Sequence, residues 1–368
     1  MDKKLRILNA PIVILYLPHL ITKGLRELGH KADYMTYSTS GVEWLMHDKP
    51  DFNLHYKFSD GLQVSKTREI EFFLYAMENY DILHFHSNWG LLLPFFELWK
   101  ATEDFSFLHK MGEKIVMSCW GYCDNNLGDR ISPGGLSECD VCTVLRPVFC
   151  ENNDYKKRIT NSYKYSHKLL SNGRACIAYP EVKWLNNAID CNEWRPYSID
   201  EIPEKFRLPP TKNIRIYHAF ANSAKREEVK GSAFIKAAVE KLQEEGYPVE
   251  FMFFDKVSNK DLRYYQAQAD LVVDQLYVGW HGSNGVECMA VGKPVILYVN
   301  PEVAKIVSQD NPLINASIHN IYDVLKDCVS NMDKMKEIGK ATREYALKHH
   351  HYEVVVKRLE AFYYSLYQ

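Results

Sequence analysis

The most informative chemistry in this sequence lies in the run Gly282-Ser-Asn-Gly-Val-Glu-Cys-Met-Ala-Val-Gly-Lys-Pro-Val-Ile296 and the apolar segment Asp270–Leu276 that precedes it. The spacing predicts a strand ending at Asp274-Gln275, a polar glycine-bearing loop, and a short helix opening at Ser283 or Asn284. Gly292 closes that helix, and Lys293-Pro294 leads into a second strand, Val295–Val299. A glycine loop running into a helix start offers unpaired backbone N–H groups and the positive end of a helix dipole, which suits an anionic ligand. Glu287 falls in the first turn, where its carboxylate could reach sugar hydroxyls beside a bound phosphate. The plainer alternative is a dipole-compensating glutamate on an ordinary α/β loop.

The elements that must position this segment are legible around it. In the first half Leu5–Leu8, Ala32–Thr36, Ile82–His86 and Lys114–Ser118 read as strands, with helical spacing over Ile21–Leu28 and Phe95–Leu108. The second half restarts the pattern with strand Ile214–Ala219, a helix from Ser232 to Glu245, strand Val249–Phe254 and a helical segment over 258–268. Between the halves, Asp190–Pro210 is rich in proline and charge and reads as a linker. The last forty residues are strongly helical. Repeated β–α units predict α/β domains with parallel sheets, whose ligands collect at the carboxyl ends of the strands. In the first half that edge carries Asn9, His84, His86 and Trp120.

Composition narrows the function classes. The chain has 368 residues, 46% hydrophobic and 25% charged, enough for two domains with full cores. A net charge of −2 gives no global basic field for nucleic acid. The basic, apolar N-terminus imitates a secretory signal, but Asn9, Pro11, Pro18 and His19 interrupt it. No window approaches the length of a membrane span. The expectation is a cytoplasmic protein, with peripheral contact at the inner face of the membrane left open.

Nine cysteines in such a chain argue against a disulfide framework. Cys123, Cys139, Cys142 and Cys150 cluster around one C-x2-C element and could supply the four thiolates of a structural zinc site, stapling an irregular insert over about 119–150. The alternative is a set of ordinary buried thiols.

Two α/β halves, a linker and a helical tail, taken with specific motifs, resemble the GT-B glycosyltransferases, in particular the family 4 group of retaining, nucleotide-sugar-dependent enzymes. His218-Ala219, then Lys225-Arg226 and Lys230-Gly231, resemble the family's basic pair on the donor diphosphate, and Gly285–Val295 resembles its helix-start segment, in which the glutamate meets the ribose. Tyr80–His86 and the Pro180–Pro196 junction resemble its N-terminal motifs. The resemblance implies the GT-B fold: two Rossmann-like domains facing across a cleft. It places an acceptor domain at 1–190, a nucleotide-sugar donor domain at 191–345, and a C-terminal helix, 346–368, packing back on the first domain. It implies a nucleotide-diphosphate sugar as donor, with Lys225, Arg226 and Lys230 on the diphosphate, Ser283, Asn284 and Gly285 at the helix start and Glu287 on the ribose. It further implies a glycan or lipid-linked acceptor and no catalytic divalent metal.

The chain departs from the family twice. Eight positions before Glu287, where a second glutamate is usual, stands Gly279, leaving His281 or Asp274 for the donor sugar's hydroxyls. Where the family often has His before Gly, this chain has Trp120-Gly121, leaving His86 as the substitute at the reacting carbon. A sugar-nucleotide epimerase and a non-catalytic relative that binds sugars or partners are the alternatives on the same fold.

Overall fold

The computed structural model describes residues 3–11, 15–37, 48–54, 62–92, 103–120, 135–143, 150–219, 227–254 and 257–368. The chain divides into two compact units, one of residues 1–131, 147–188 and 352–368, the other of 132–146 and 189–351.

The first unit is a parallel sheet with alternating helices: β1 (Arg6–Ala10), α1 (Leu17–Glu27), β2 (Lys31–Thr36), β3 (Phe52–Asn53), α2 (Leu62–Asn79), β4 (Ile82–Phe85), α3 (Glu103–Lys110) and β5 (Lys114–Cys119). A short helix, α4 (Glu138–Val141), belongs to the other unit. The first then resumes with α5 (Asn153–Tyr165), β6 (Lys168–Ser171), α6 (Ala175–Ala178) and β7 (Val182–Trp184). The strand order is β3-β2-β1-β4-β5-β6-β7, so the chain leaves β1 to one side and returns to the other at β4. That reversal makes the carboxyl ends of β1 and β4 the natural crevice. Strands buried on both faces need unbroken apolar runs, and Ile7, Leu8, Ile82, Leu83 and Phe85 supply them.

The second unit repeats the plan with β8 (Ile214–Ala219), α7 (Glu227–Lys230), α8 (Ser232–Glu244), β9 (Val249–Phe254), α9 (Asn259–Ala267), β10 (Leu271–Val273), α10 (Ser283–Ala290), β11 (Val295–Leu297), α11 (Pro301–Ile306) and β12 (Ile314–Asn315). Helices α12 (Ile321–Ser330) and α13 (Met332–His349) follow. Its parallel order is β12-β11-β10-β8-β9, which puts the switch point between β8 and β10. Both sheets are of the Rossmann-like α/β type expected.

Three boundaries differ from the sequence reading. Residues 190–197 are not a free linker. Trp194 is buried, and Arg343 on α13 donates to the carbonyls of Trp194 (2.8 Å) and Cys191 (2.9 Å). Proline and charge mark irregular backbone there, but the backbone's acceptors are satisfied by one arginine. Residues 132–146 group with the second unit rather than the first. The Leu136 N–H donates to the Tyr298 hydroxyl (3.2 Å), and the Thr143 hydroxyl donates to Glu228 (2.9 Å). The tail helix α14 (Tyr352–Tyr364) starts after a break at His350-His351, not at 346, and lies in the first unit.

Helix α14 buries Tyr352, Val355, Val356, Leu359 and Tyr363, one stripe at helical spacing. A Cβ on Gly24 of α1 would lie 2.8 Å from Val356 Cγ2, so the two helices approach closely because that residue is glycine. The Leu5 N–H donates to His30 Nδ1 (3.1 Å), which leaves His30 Nε2 to donate to Glu360 (2.8 Å). The Tyr363 hydroxyl sits 2.6 Å from His84 Nδ1, and Ser118 Oγ sits 2.7 Å from its Nε2. Replacing Tyr363 with Phe strands one buried ring nitrogen and is expected to destabilise the fold by about 1–3 kcal/mol. Urea denaturation measures this, and an unchanged midpoint would show that the contact contributes nothing.

Candidate functional site

In the second unit the sequence builds a loop–helix corner at the switch point. Asp274 follows β10 directly and is fully buried. Its Oδ2 accepts the Gly282 N–H at 2.8 Å, and its Oδ1 receives Lys230 Nζ at 3.2 Å and Asn284 Nδ2 at 3.4 Å. Lys230, the last residue of α7, also donates to the Ala219 carbonyl at the end of β8 (3.1 Å). One carboxylate therefore fastens the basic side chain after β8 to the start of α10.

Helix α10 begins with Gly282 as N-cap and Ser283, Asn284 and Gly285 as its first three residues, and no side chain caps it. Gly285 is required by packing, because a Cβ there would lie 2.7 Å from Asp274 Oδ2 and 3.1 Å from His281 Cβ. The Asn284 side chain is held on its other side by the Tyr217 hydroxyl (3.2 Å) and Gln266 Nε2 (3.3 Å). At the far end, Gly292 has φ +79°. The Lys293 N–H returns to the Cys288 carbonyl (3.0 Å) and the Gly292 N–H to that of Met289 (2.9 Å), the hydrogen-bond pattern of a Schellman cap.

Two expected members of this site are placed differently. The Glu287 carboxylate is 1% exposed, with Asn259 Nδ2 on Oε1 (2.9 Å) and Gln266 Nε2 on Oε2 (2.8 Å), so both oxygens tie α10 to α9. Gly279 has φ +85°, and a Cβ there would lie 2.8 Å from Asn300 Cβ. The backbone excludes a side chain at the position where a second glutamate was sought. His281 is buried, and among the described residues neither of its ring nitrogens has a hydrogen-bond partner. Burial pushes its pKa down to about 3. Lys225 and Arg226 lie outside the described residues.

In the first unit the crevice edge carries His86, fully buried beside His84, ring centroids 4.2 Å apart. The Trp120 indole donates to His86 Nδ1 (3.0 Å), which fixes the proton on Nε2, where it faces Asn9 Oδ1 (3.0 Å). Asn9 Nδ2 in turn donates to the Thr22 hydroxyl (3.0 Å). Both His86 nitrogens are thus spoken for, and burial lowers its pKa to about 3. The ring is held between the Trp120 indole and the Asn9 side chain.

Three of the four cysteines of the expected zinc site, Cys139, Cys142 and Cys150, are among the described residues. Cys139 and Cys142 lie in the second unit and Cys150 in the first, while Cys123 is outside the described residues. Among the described residues no group of three or more His, Cys, Asp or Glu side chains is placed to hold a metal ion. The insert has another support. Ser137 and Asp140 form a capping box at α4, and the bonds to Tyr298 and Glu228 hold the segment to the second unit.

Sequence reasoning missed Asn259 and Gln266, the amides that occupy Glu287, and it offered Asp274 only as a sugar partner. A carboxylate that ends an apolar strand and precedes a glycine loop was the available signal for Asp274. Among the described residues, no helix is long and apolar enough to cross a membrane.

Two expectations follow from this geometry. Gly279→Glu will not restore a missing carboxylate. It forces a side chain into positive φ against Asn300, at a strain of about 1–3 kcal/mol, and lowers the melting temperature; an unaltered melting temperature would contradict this. The second concerns acid stability. His84, His86, His218 and His281 are all held below the usual histidine value by burial, to about 3 for His86 and His281 and about 4 for His218. The unfolded chain binds protons that the folded one refuses, so their stabilisation is intact above about 6.5. It falls by about 1.4 kcal/mol per histidine per pH unit towards 3–4. Unfolding free energies between pH 7 and pH 4 test this, and a flat profile would refute it.

No protein-family model matches the chain, and no curated protein matches it in sequence. Its fold does match solved structures. Sucrose-phosphate synthase from Thermosynechococcus elongatus superposes with a TM-score of 0.65 at 12% identity, covering 98% of this chain and 99% of that one. HepE from Anabaena in complex with UDP and glucose gives 0.64 at 13% identity, covering 98% and 100%. UDP-GlcNAc 2-epimerase from Neisseria meningitidis bound to UDP-GlcNAc gives 0.54 at 10% identity, covering 98% and 100%. Together with the two parallel sheets, these likenesses show the architecture: the chain has the GT-B fold, two Rossmann-like units followed by a helical tail.

Proposed function

We propose that the protein is a glycosyltransferase of the family 4 type, moving a sugar from a nucleoside-diphosphate donor to an acceptor hydroxyl with retention at the anomeric carbon. The observation that carries this reading is the Asp274 corner, which joins Lys230 to the uncapped start of α10 at the switch point of the second sheet. A diphosphate is the ligand such a corner suits, because cation and helix-start amides answer its charge together. As the bond to the sugar breaks, charge grows on the departing diphosphate, and groups already in place stabilise it without reorganisation. The UDP and glucose seen with HepE and the UDP-GlcNAc seen with the epimerase, both on this fold, favour a nucleotide sugar as the donor.

Within this reading Lys230 serves the diphosphate with Lys225 or Arg226, and Ser283, Asn284 and Gly285 present the helix start. Glu287 acts chiefly by bracing α10 against α9, since its two oxygens are already bonded. His281, a neutral ring just before the start of α10, is the candidate for the sugar hydroxyls in place of the carboxylate that Gly279 excludes. The first unit takes the acceptor, a glycan or a lipid-linked glycan at the inner face of the membrane. The Neisseria likeness supports a second reading, a sugar-nucleotide epimerase.

Titration with UDP tests the corner. Lys230→Met alone would leave a buried unpaired carboxylate, so it is combined with Asp274→Asn. The pair is expected to weaken UDP binding roughly 10- to 100-fold, the equivalent of one or two charge-assisted hydrogen bonds. Unchanged affinity would remove the basis of the proposal. A screen of nucleotide sugars then separates the readings: release of free nucleotide from one donor marks a transferase, and an isomerised donor marks the epimerase.

A further inference from the structure

Two half-buried thiols sit on the segment that packs against the basic helix of the second unit. Cys139 lies inside α4, and Cys142 caps its carboxyl end. Neither is in a disulfide, and both keep part of their surface exposed. Residues three apart on a helical turn share a face. The turn sets their Cα atoms about 5 Å apart, inside the window of roughly 4.4–6.8 Å that a disulfide spans. Most other described thiols are less available. Cys119, Cys191, Cys288 and Cys328 are buried. Burial pushes the Cys176 thiol up to about 12, and its S–H donates to the Ser171 carbonyl (3.3 Å). Cys150 lies in the first unit.

Helix α4 is a single turn, anchored on both flanks. At its start Ser137 and Asp140 close the capping box, and the Leu136 N–H donates to the Tyr298 hydroxyl. At its end Thr143, the neighbour of Cys142, donates to Glu228 of α7 (2.9 Å), and α4 packs against α7. Helix α7 finishes at Lys230, whose ammonium meets Asp274 and whose carbonyl accepts the Leu276 N–H (3.0 Å). On a helical turn the Cβ atoms of residues three apart stand about 5–6 Å from each other. A disulfide draws them to about 3.8 Å. The capped start is the firmer side, so closing the bond moves Cys142 and carries Thr143 with it.

We infer that Cys139 and Cys142 form a reversible dithiol–disulfide site, whose closure loosens α7 through the Thr143–Glu228 contact. The oxidant is a small disulfide of the glutathione class. The thiolate of one cysteine attacks a glutathione sulfur, forming a mixed disulfide and expelling one glutathione thiolate. The thiolate of the other then attacks the protein sulfur of that mixed disulfide and expels the second. The two protein thiols give up two electrons and two protons, and glutathione disulfide takes them up as two thiols. A strained disulfide is the more easily reduced kind, so excess reduced glutathione reopens the turn.

Peptide mapping of the full chain, equilibrated with oxidised or with reduced glutathione and then alkylated, tests the site. A Cys139–Cys142 linkage is expected in the oxidised sample and two alkylated thiols in the reduced one. Amide hydrogen exchange over Glu227–Gly231 is expected to be at least threefold faster in the oxidised sample, with Cys139→Ser and Cys142→Ser each removing the difference. No linkage between the two, linkage of either to Cys123 or Cys150 instead, or a zinc ion held by these thiols in the purified protein would each overturn the inference. Equal exchange in the two samples, or a difference that survives Cys139→Ser, would overturn it as well. Mapping and exchange on the unaltered protein decide should a variant fail to fold. The inference does not rest on the transferase reading, since every readout is made without nucleotide.

Discussion

A single buried carboxylate organises the second unit's crevice. Asp274 sits where three pieces of chain from different parts of the sequence must meet: the residue after β10, the basic end of α7 and the glycine loop before α10. A carboxylate with no access to water must be paired and hydrogen-bonded, and here its partners are Lys230, the Gly282 amide and Asn284. Such a pair adds little net stability, because desolvation offsets the attraction. What it supplies is position. Gly285 is tolerated as nothing larger because Asp274 fills the space beside it, and the Lys230 ammonium is held at the strand ends by its bonds to Asp274 and the Ala219 carbonyl.

The first unit solves the same topological problem with neutral groups. Its switch-point strands carry Asn9 near the end of β1 and His86 just past β4, and every proton in the run from Trp120 through His86 and Asn9 to Thr22 has one assignable place. Burial penalises the imidazolium form of both His84 and His86, and among the described residues no carboxylate offsets it. The Arg158 guanidinium lies over the Trp89 ring, in the loop that continues β4.

Much of this was legible in the sequence, and the failures have physical causes. The strands Ile214–Ala219 and Val249–Phe254 were read to the residue, because each is a mainly apolar run bounded by turn-forming residues. The helix bounded by Gly282 and Gly292 was equally plain. The short strands β3, β6, β7 and β12, of two to four residues, carry too few side chains to show a period. Residue type also says nothing about which partner claims a functional group. Glu287 has the identity expected of a ribose ligand, yet Asn259 and Gln266, more than twenty positions earlier, take both its oxygens. The linker reading failed for a related reason: Arg343, about 150 residues away, satisfies the backbone there. Cysteine spacing suggested a metal, while the structure holds that segment with a serine cap and two hydrogen bonds.

The most direct test is a crystal structure of the protein with UDP. The account predicts the diphosphate at the start of α10, with oxygens within hydrogen-bond distance of Lys230 Nζ and of the first-turn amides of Ser283 to Gly285. A diphosphate bound elsewhere, with Lys230 Nζ and those amides untouched by it, would contradict it.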